Sequence, residues 1–247
     1  MKPTFPSLWL VLTFCTLAQA PLSAQFFDQF FLEGALELNY SYFDREEGDL
    51  IELLDDFDEE LSNQGRLGFW LGAYLGRTLT EKLGLKLGLQ VVSQGFRYRF
   101  DGLVTVADLL SNPDDPESSV WKVDYRLWNV EVPLVAEYAL GANRDLLVAL
   151  GGGARFNLSE SGQSRVISSE GEVEDLDEPE FRTDGIQPFV QAGVGKVLPF
   201  EWGSGTLRLL LHAKYYLAEE RNRSFRESGR LWKVQFQVAY RFGEGTD

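Results

Sequence analysis

The side chains in this chain that could do chemistry sit at alternate positions of apolar stretches. Glu33, Glu37, Glu131 and Glu137 supply carboxylates, and Arg66, Lys86, Arg155, Arg208, Lys214, Lys233 and Arg241 supply cations. His212 is the sole histidine. An extended backbone turns such charges to one face and the intervening leucines, valines and aromatics to the other. Charges gathered on a covered face must pair, because an unpaired charge away from water is costly. The set therefore reads as an ion-paired, hydrogen-bonded network. The other chemistry open to it is a narrow ion-conducting path. Hydrolysis is disfavoured, because a nucleophile and its base must lie within hydrogen-bond reach. The serines nearest His212 in the chain fall in connecting segments. No catalytic residue and no cofactor site is assigned.

A second chemistry comes from acids alone. Residues 44–60 hold ten carboxylates and one arginine, ending in the run Asp55-Asp56-Phe57-Asp58-Glu59-Glu60. Asp55, Asp56, Asp58, Glu59 and Glu60 are candidate ligands for a divalent cation, which as calcium takes about 6–8 oxygens. The run lacks the alternate spacing and the glycine of a calcium loop. It reads instead as a solvated, self-repelling surface. Residues 160–184 are acidic in the same way, with nine carboxylates against Arg165 and Arg182. Arg221, Arg223, Arg226 and Arg230 are expected to pair with these acids. Leu50, Ile51, Leu53, Leu54, Phe57 and Leu61 form an apolar stripe expected to pack on the chain's own rim or to meet a protein partner.

Eight stretches carry the alternation that must position these groups: residues 32–43, 66–78, 83–100, 124–140, 144–159, 185–198, 207–217 and 231–242. In the last, Trp232, Val234, Phe236, Val238, Tyr240 and Phe242 share one face, with aromatics at both ends. A dozen residues is enough to cross a bilayer, where a tilted strand needs about 9–11. Interfacial aromatics around an aliphatic middle mark a lipid-facing strand. No open sheet edge survives in hydrocarbon, so the strands must close into a barrel. The connections alternate long and short along the chain, as in barrels with short periplasmic turns and long extracellular loops. The expected fold is thus all-β: an eight-stranded antiparallel up-and-down transmembrane β-barrel with long acidic extracellular loops. A soluble lipocalin-like barrel is the rival, but it has no reason to sort its loops by length. Pro133 cannot donate to a ladder, so a bulge or local irregularity is expected there. A short helix is expected over residues 105–110, capped by Thr105 and Asp108.

The start of the chain reads as a processing segment. Lys2 precedes an apolar run over residues 8–18, and Ser23-Ala24-Gln25 offers a small-residue cleavage site. Residues 1–24 are expected to be a signal peptide and residues 25–247 one barrel domain. The single cysteine, Cys15, leaves with that peptide. No other apolar run approaches the ~20 residues of a membrane helix. The net charge of −15 disfavours nucleic acid as a partner.

The segment from Trp128 through Glu131, Val132, Pro133 and Leu134 to Tyr138 resembles the "(hydrophobic)-E-(hydrophobic)-P-L" strand of the Bacteroidota outer-membrane β-barrel family, the PorT-like barrels. Gly193-Val194-Gly195, the Ala24-Gln25 site and the closing Tyr240-Arg241-Phe242 also resemble that family. The closing aromatic is similar to the signal read by the barrel-assembly machinery, although Gly243 and four further residues follow it. The resemblance implies an OmpA/OmpX-type barrel of eight strands in the cell outer membrane. It implies no single activity. The expectation is a non-enzymatic, monomeric envelope protein. Its partners would be outer-membrane lipid, the assembly machinery during insertion and an envelope protein meeting the loops.

Overall fold

A computed structural model describes residues 30–46, 61–103, 119–168, 172–176, 181–182, 185–199, 205–218, 220–222 and 227–242. The expected signal peptide, the 105–110 helix, the acidic run from Asp55 to Glu60, and Arg223 and Arg226 lie outside these residues. Every described segment of regular structure is strand: β1 (Phe30–Glu46), β2 (Leu61–Thr78), β3 (Leu83–Leu103), β4 (Ser119–Leu140), β5 (Leu146–Ile167), β6 (Val173–Leu176), β7 (Phe181–Arg182), β8 (Ile186–Pro199), β9 (Gly205–Tyr216), β10 (Glu220–Asn222) and β11 (Glu227–Phe242).

Eight of these, β1 to β5, β8, β9 and β11, pair antiparallel with their neighbours in chain order, and β1 pairs with β11 to close the ring. The register defines the barrel's shape. Leu32 pairs with Leu75, then the path runs through Leu87, Leu134, Gly152, Val190, Tyr215 and Trp232, and it returns to β1 at Tyr42. The path arrives ten residues beyond its start. A stagger of that size over eight strands tilts them by roughly 40–45° and leaves an interior that side chains just fill.

Alternation continues around the whole ring. Glu33, Glu131 and Lys233 are 0% exposed, whereas Leu36 is 61% and Leu67 76% exposed. The barrel is therefore polar inside and apolar outside. β3 ends close to its expected limit, whereas β4 begins at Ser119 and β5 runs on to Ile167, beyond their expected ends, which lengthens the hairpins on the side of the long connections. Short strands decorate that same end: β6 pairs with β5, and β10 bridges β11 and β7.

Among the described residues, two short connections lie at the other end. Between β2 and β3, Thr80 Oγ1 accepts from the backbone N–H groups of Lys82 (3.3 Å) and Leu83 (3.0 Å), a side-chain mimic of a backbone turn. Between β4 and β5, Gly141 and Arg144 take positive φ, 81° and 55°.

The irregularity expected at Pro133 is present, and others were not expected. Opposite Pro133 the β3–β4 ladder is interrupted without a change of register, so the proline costs pairing but makes no bulge. The register shift on β4 falls instead between Trp128 and Asn129, where β5 carries one extra residue. A second shift, between Gly65 and Phe69, breaks the β2–β3 ladder. Backbone groups freed there would be buried without partners. Neighbouring β1 supplies them: Asn39 Nδ2 donates to the Ser93 carbonyl at 3.2 Å, while Ser41 Oγ donates to the Gly95 carbonyl at 2.5 Å and accepts from its N–H at 3.0 Å.

Candidate functional site: the barrel lumen

The lumen is built in layers, each drawn from several strands. At the short-connection end, Glu33 of β1 and Glu137 of β4 meet Lys86 of β3, Arg208 of β9 and Arg241 of β11. Lys86 pairs with Glu33 and lies 2.7 Å from Glu137. Arg208 pairs with Glu137 and lies 3.4 Å from Glu33. Arg241 lies 3.2 Å from Glu33 and 2.6 Å from Glu137. Its guanidinium also covers the Phe31 ring at 3.4 Å, and the Lys86 ammonium covers Tyr74 at 4.3 Å. All five charged side chains are buried, which only mutual pairing makes tolerable. A cleft of about 310 Å³ opens below them, lined in part by Thr78, Lys82, Glu137, Arg144, Arg208 and Arg241.

Further in, Glu131 of β4 gathers a second group. Lys214 pairs with one carboxylate oxygen, and Lys233 donates to the other at 2.9 Å. Tyr216 also donates to Glu131 and reaches Gln94 Oε1 at 3.1 Å. Arg155 lies over the Tyr216 ring at 4.4 Å, and Lys214 over Phe189 at 4.3 Å. Glu37 faces Trp70 and Gln237 across its two ladders, and its Oε1 has no hydrogen-bond partner among the described residues.

His212 Nε2 lies 2.9 Å from Gln237 Oε1, within hydrogen-bond reach, and Nδ1 has no hydrogen-bond partner among the described residues. Nδ1 points at Gly193, where any larger residue would collide with the ring. Among the described residues no hydroxyl or carboxylate hydrogen-bonds to this imidazole, the geometry that activating a nucleophile would need.

Above these groups the lumen is packed with apolar side chains. Phe43, Phe96, Tyr98, Tyr125, Leu127, Phe189, Tyr216 and Leu231 form one buried cluster. Phe43 stacks on Phe96 at 4.8 Å, and Phe96 meets Tyr125 at 4.9 Å. The sequence reading missed this layer. Its signal was available, because Phe96, Tyr98 and Tyr125 lie within the expected strands 83–100 and 124–140, on the inward parity of Lys86 and Glu131.

Eleven of the sequence-derived network residues line the lumen. Arg66 does not join them. It stands at the β2 register shift, donates to the Tyr125 carbonyl at 3.1 Å and pairs with Asp124, which also takes Arg97 at 2.8 Å. The shift breaks the parity on which its inward placement was based. Arg230 lies inside β11 rather than in a loop, and donates to Tyr215 Oη at 3.4 Å.

No protein-family model and no curated protein matches the chain, so its likeness to the PorT-like barrels rests on the motif residues alone. Among solved structures it is similar to several outer-membrane proteins. With OprG of Pseudomonas aeruginosa it shares 11% identity at a TM-score of 0.40, over 87% of this chain and 96% of that one. With Neisserial surface protein A the values are 10% and 0.37, over 86% and 95%. With a major outer membrane protein of Thermus thermophilus they are 16% and 0.37, over 85% and 99%. At these scores the eight-stranded ring rests on the chain's own strand pairing.

Proposed function

We propose that this protein is a non-enzymatic barrel of the bacterial outer membrane, with an envelope structural or interaction role carried by its long connections. One observation supports the reading above all: an apolar belt of matching height on the outside of a barrel whose charges lie within. On β4, Trp128 and Tyr138 bracket Val130, Val132, Leu134 and Ala136; on β11, Trp232 and Phe242 bracket Val234, Phe236 and Val238. Each bracket spans ten residues, ~33 Å of strand at ~3.3 Å per residue. With the tilt described above, this is a band about 25 Å tall, the height expected of an outer-membrane barrel. Among the described residues, the charged side chains on the outward face of this band are Arg77 and Lys196, both toward the short-connection end. A lipocalin-like barrel would invert this arrangement, with apolar groups inside and charges in water. The short connections then face the periplasm, and the long ones, including the acidic segments, face outward.

Fractionation of expressing cells tests the reading. The protein is expected in the outer-membrane fraction, released only by detergent, with a gel mobility that changes on boiling. Recovery in a detergent-free soluble fraction would overturn it.

A further inference from the structure

Outside the belt, one patch breaks the chain's acidic character. On the outward face of the extended hairpins stand Arg97 and Arg99 of β3, Lys122 and Arg126 of β4, and Arg165 of β5, all exposed. Among the described residues two acids accompany them: Asp124 takes both Arg97 and Arg66 of β2, and Asp175 takes Arg165 at 2.8 Å. With Arg66 these are six cations beside two carboxylates among the described residues, in a chain whose net charge is −15. Arg99 pairs directly with Lys122, and Lys122 with Arg165, so three like charges stand abreast on three adjoining strands. Such opposition destabilises a sheet. Among the described residues Lys122 and Arg126 make no ion pair. A cleft of about 310 Å³ lies at this row, lined in part by Arg97, Arg99, Lys122, Gln163 and Arg165, with Asp124 as its one carboxylate.

We propose that this patch binds the head group of a phosphorylated glycolipid in the outer leaflet. The inference rests on the membrane reading above, and height supplies its chemistry. Trp128, which meets Phe69 edge-on at 5.6 Å, marks the upper limit of the apolar belt. Arg126 is two residues above it on the same face and Lys122 six, ~7 and ~20 Å along the strand. Tilted, these become heights of roughly 5 and 15 Å. The head-group layer of an ordinary bilayer is only about 5–8 Å deep on each side. A phospholipid phosphate therefore reaches Arg126 and stops short of the Arg99–Lys122–Arg165 row. Phosphates carried on sugars reach both. Arginines suit them, because the planar guanidinium binds a phosphate through two parallel hydrogen bonds. The neutral Gln64, Ser161 and Gln163 on the same face are placed to meet sugar hydroxyls. Acyl chains of the same molecule would lie on Leu89, Val91, Val130 and Val132 below.

The test uses the full-length protein folded in neutral detergent and purified phosphorylated lipopolysaccharide, with retention read by native mass spectrometry. A variant carrying Arg99→Gln, Lys122→Gln and Arg126→Gln is expected to keep its heat-modifiable mobility and lose at least ~10-fold in affinity. Dephosphorylated lipopolysaccharide should bind the unaltered protein as weakly. Equal binding of phosphorylated and dephosphorylated forms would overturn the proposal. So would equal binding of phosphatidylglycerol, or preference for a soluble sulfated glycan over the lipid. Unchanged lipid binding by the variant together with faster proteolysis within residues 47–60 would assign the patch to the chain's own acidic segment. A protein soluble without detergent would instead remove the membrane reading itself.

Discussion

Glu33 and Glu137 share every cation around them: Lys86, Arg208 and Arg241 each pair with both carboxylates. Glu33 is on β1 and Glu137 on β4, so the shared cations tie non-adjacent parts of the ring together through its interior. Removing one carboxylate leaves three buried cations facing a single anion. Glu137→Gln is expected to destabilise the folded barrel by about 3–5 kcal/mol. Glu33→Gln should cost a similar amount, and the double variant should depart from the sum because both residues act on the same cations. Urea titration of the heat-modifiable form in detergent measures all three, and strict additivity would count against a shared network.

Parity of the outer face sets a second expectation. Leu87 is 54% exposed on the outward face, and its β4 partner Leu134 lies near the middle of the span from Trp128 to Tyr138. Leu87→Arg should cost roughly 2–4 kcal/mol of stability in lipid vesicles, the penalty of a charge near the bilayer midplane. Arg99→Leu, far above the belt, should change stability little. Equal effects of the two substitutions would contradict the membrane placement.

Ser41 carries a third. Its hydroxyl serves both the N–H and the carbonyl of Gly95 where the β2–β3 ladder is broken. Ser41→Ala leaves those buried backbone groups without that partner, at an expected cost of about 1–3 kcal/mol. Hydrogen exchange should rise locally around Gly95. Protection unchanged at that amide would show that the break is satisfied in another way.

Closure of the lumen gives a fourth. The Phe43, Phe96 and Tyr125 rings and the Glu131 group fill successive layers of the interior. The protein in planar bilayers is therefore expected to show no steady single-channel conductance. Discrete, reproducible current steps would favour the ion-path alternative.

Alternation was legible because it is a local property: residues two apart share a face whatever the strand's neighbours are. Leu85, Leu87 and Leu89 outward, with Lys86 and Gln90 inward, needed nothing beyond the order of residues along β3. The same reasoning located eight strands and separated short connections from long ones. It failed for Arg66, where one inserted residue shifts the register, and for the far ends of β4 and β5, where hairpins outrun the apolar belt.

The sequence by itself thus determined the eight strands of the ring and the chemical character of their two faces, since each follows from spacing along one segment, but not the short strands β6, β7 and β10. Only the tertiary structure decided which charges meet. Glu131 and Lys233 are 102 residues apart, and Glu33 and Arg241 208 apart. Their meeting depends on the ten-residue stagger accumulated around the closed ring, a sum over all eight pairings that no single segment contains. The cationic row of Arg99, Lys122 and Arg165 has the same origin, because the lateral alignment of three strands exists only once their registers are set.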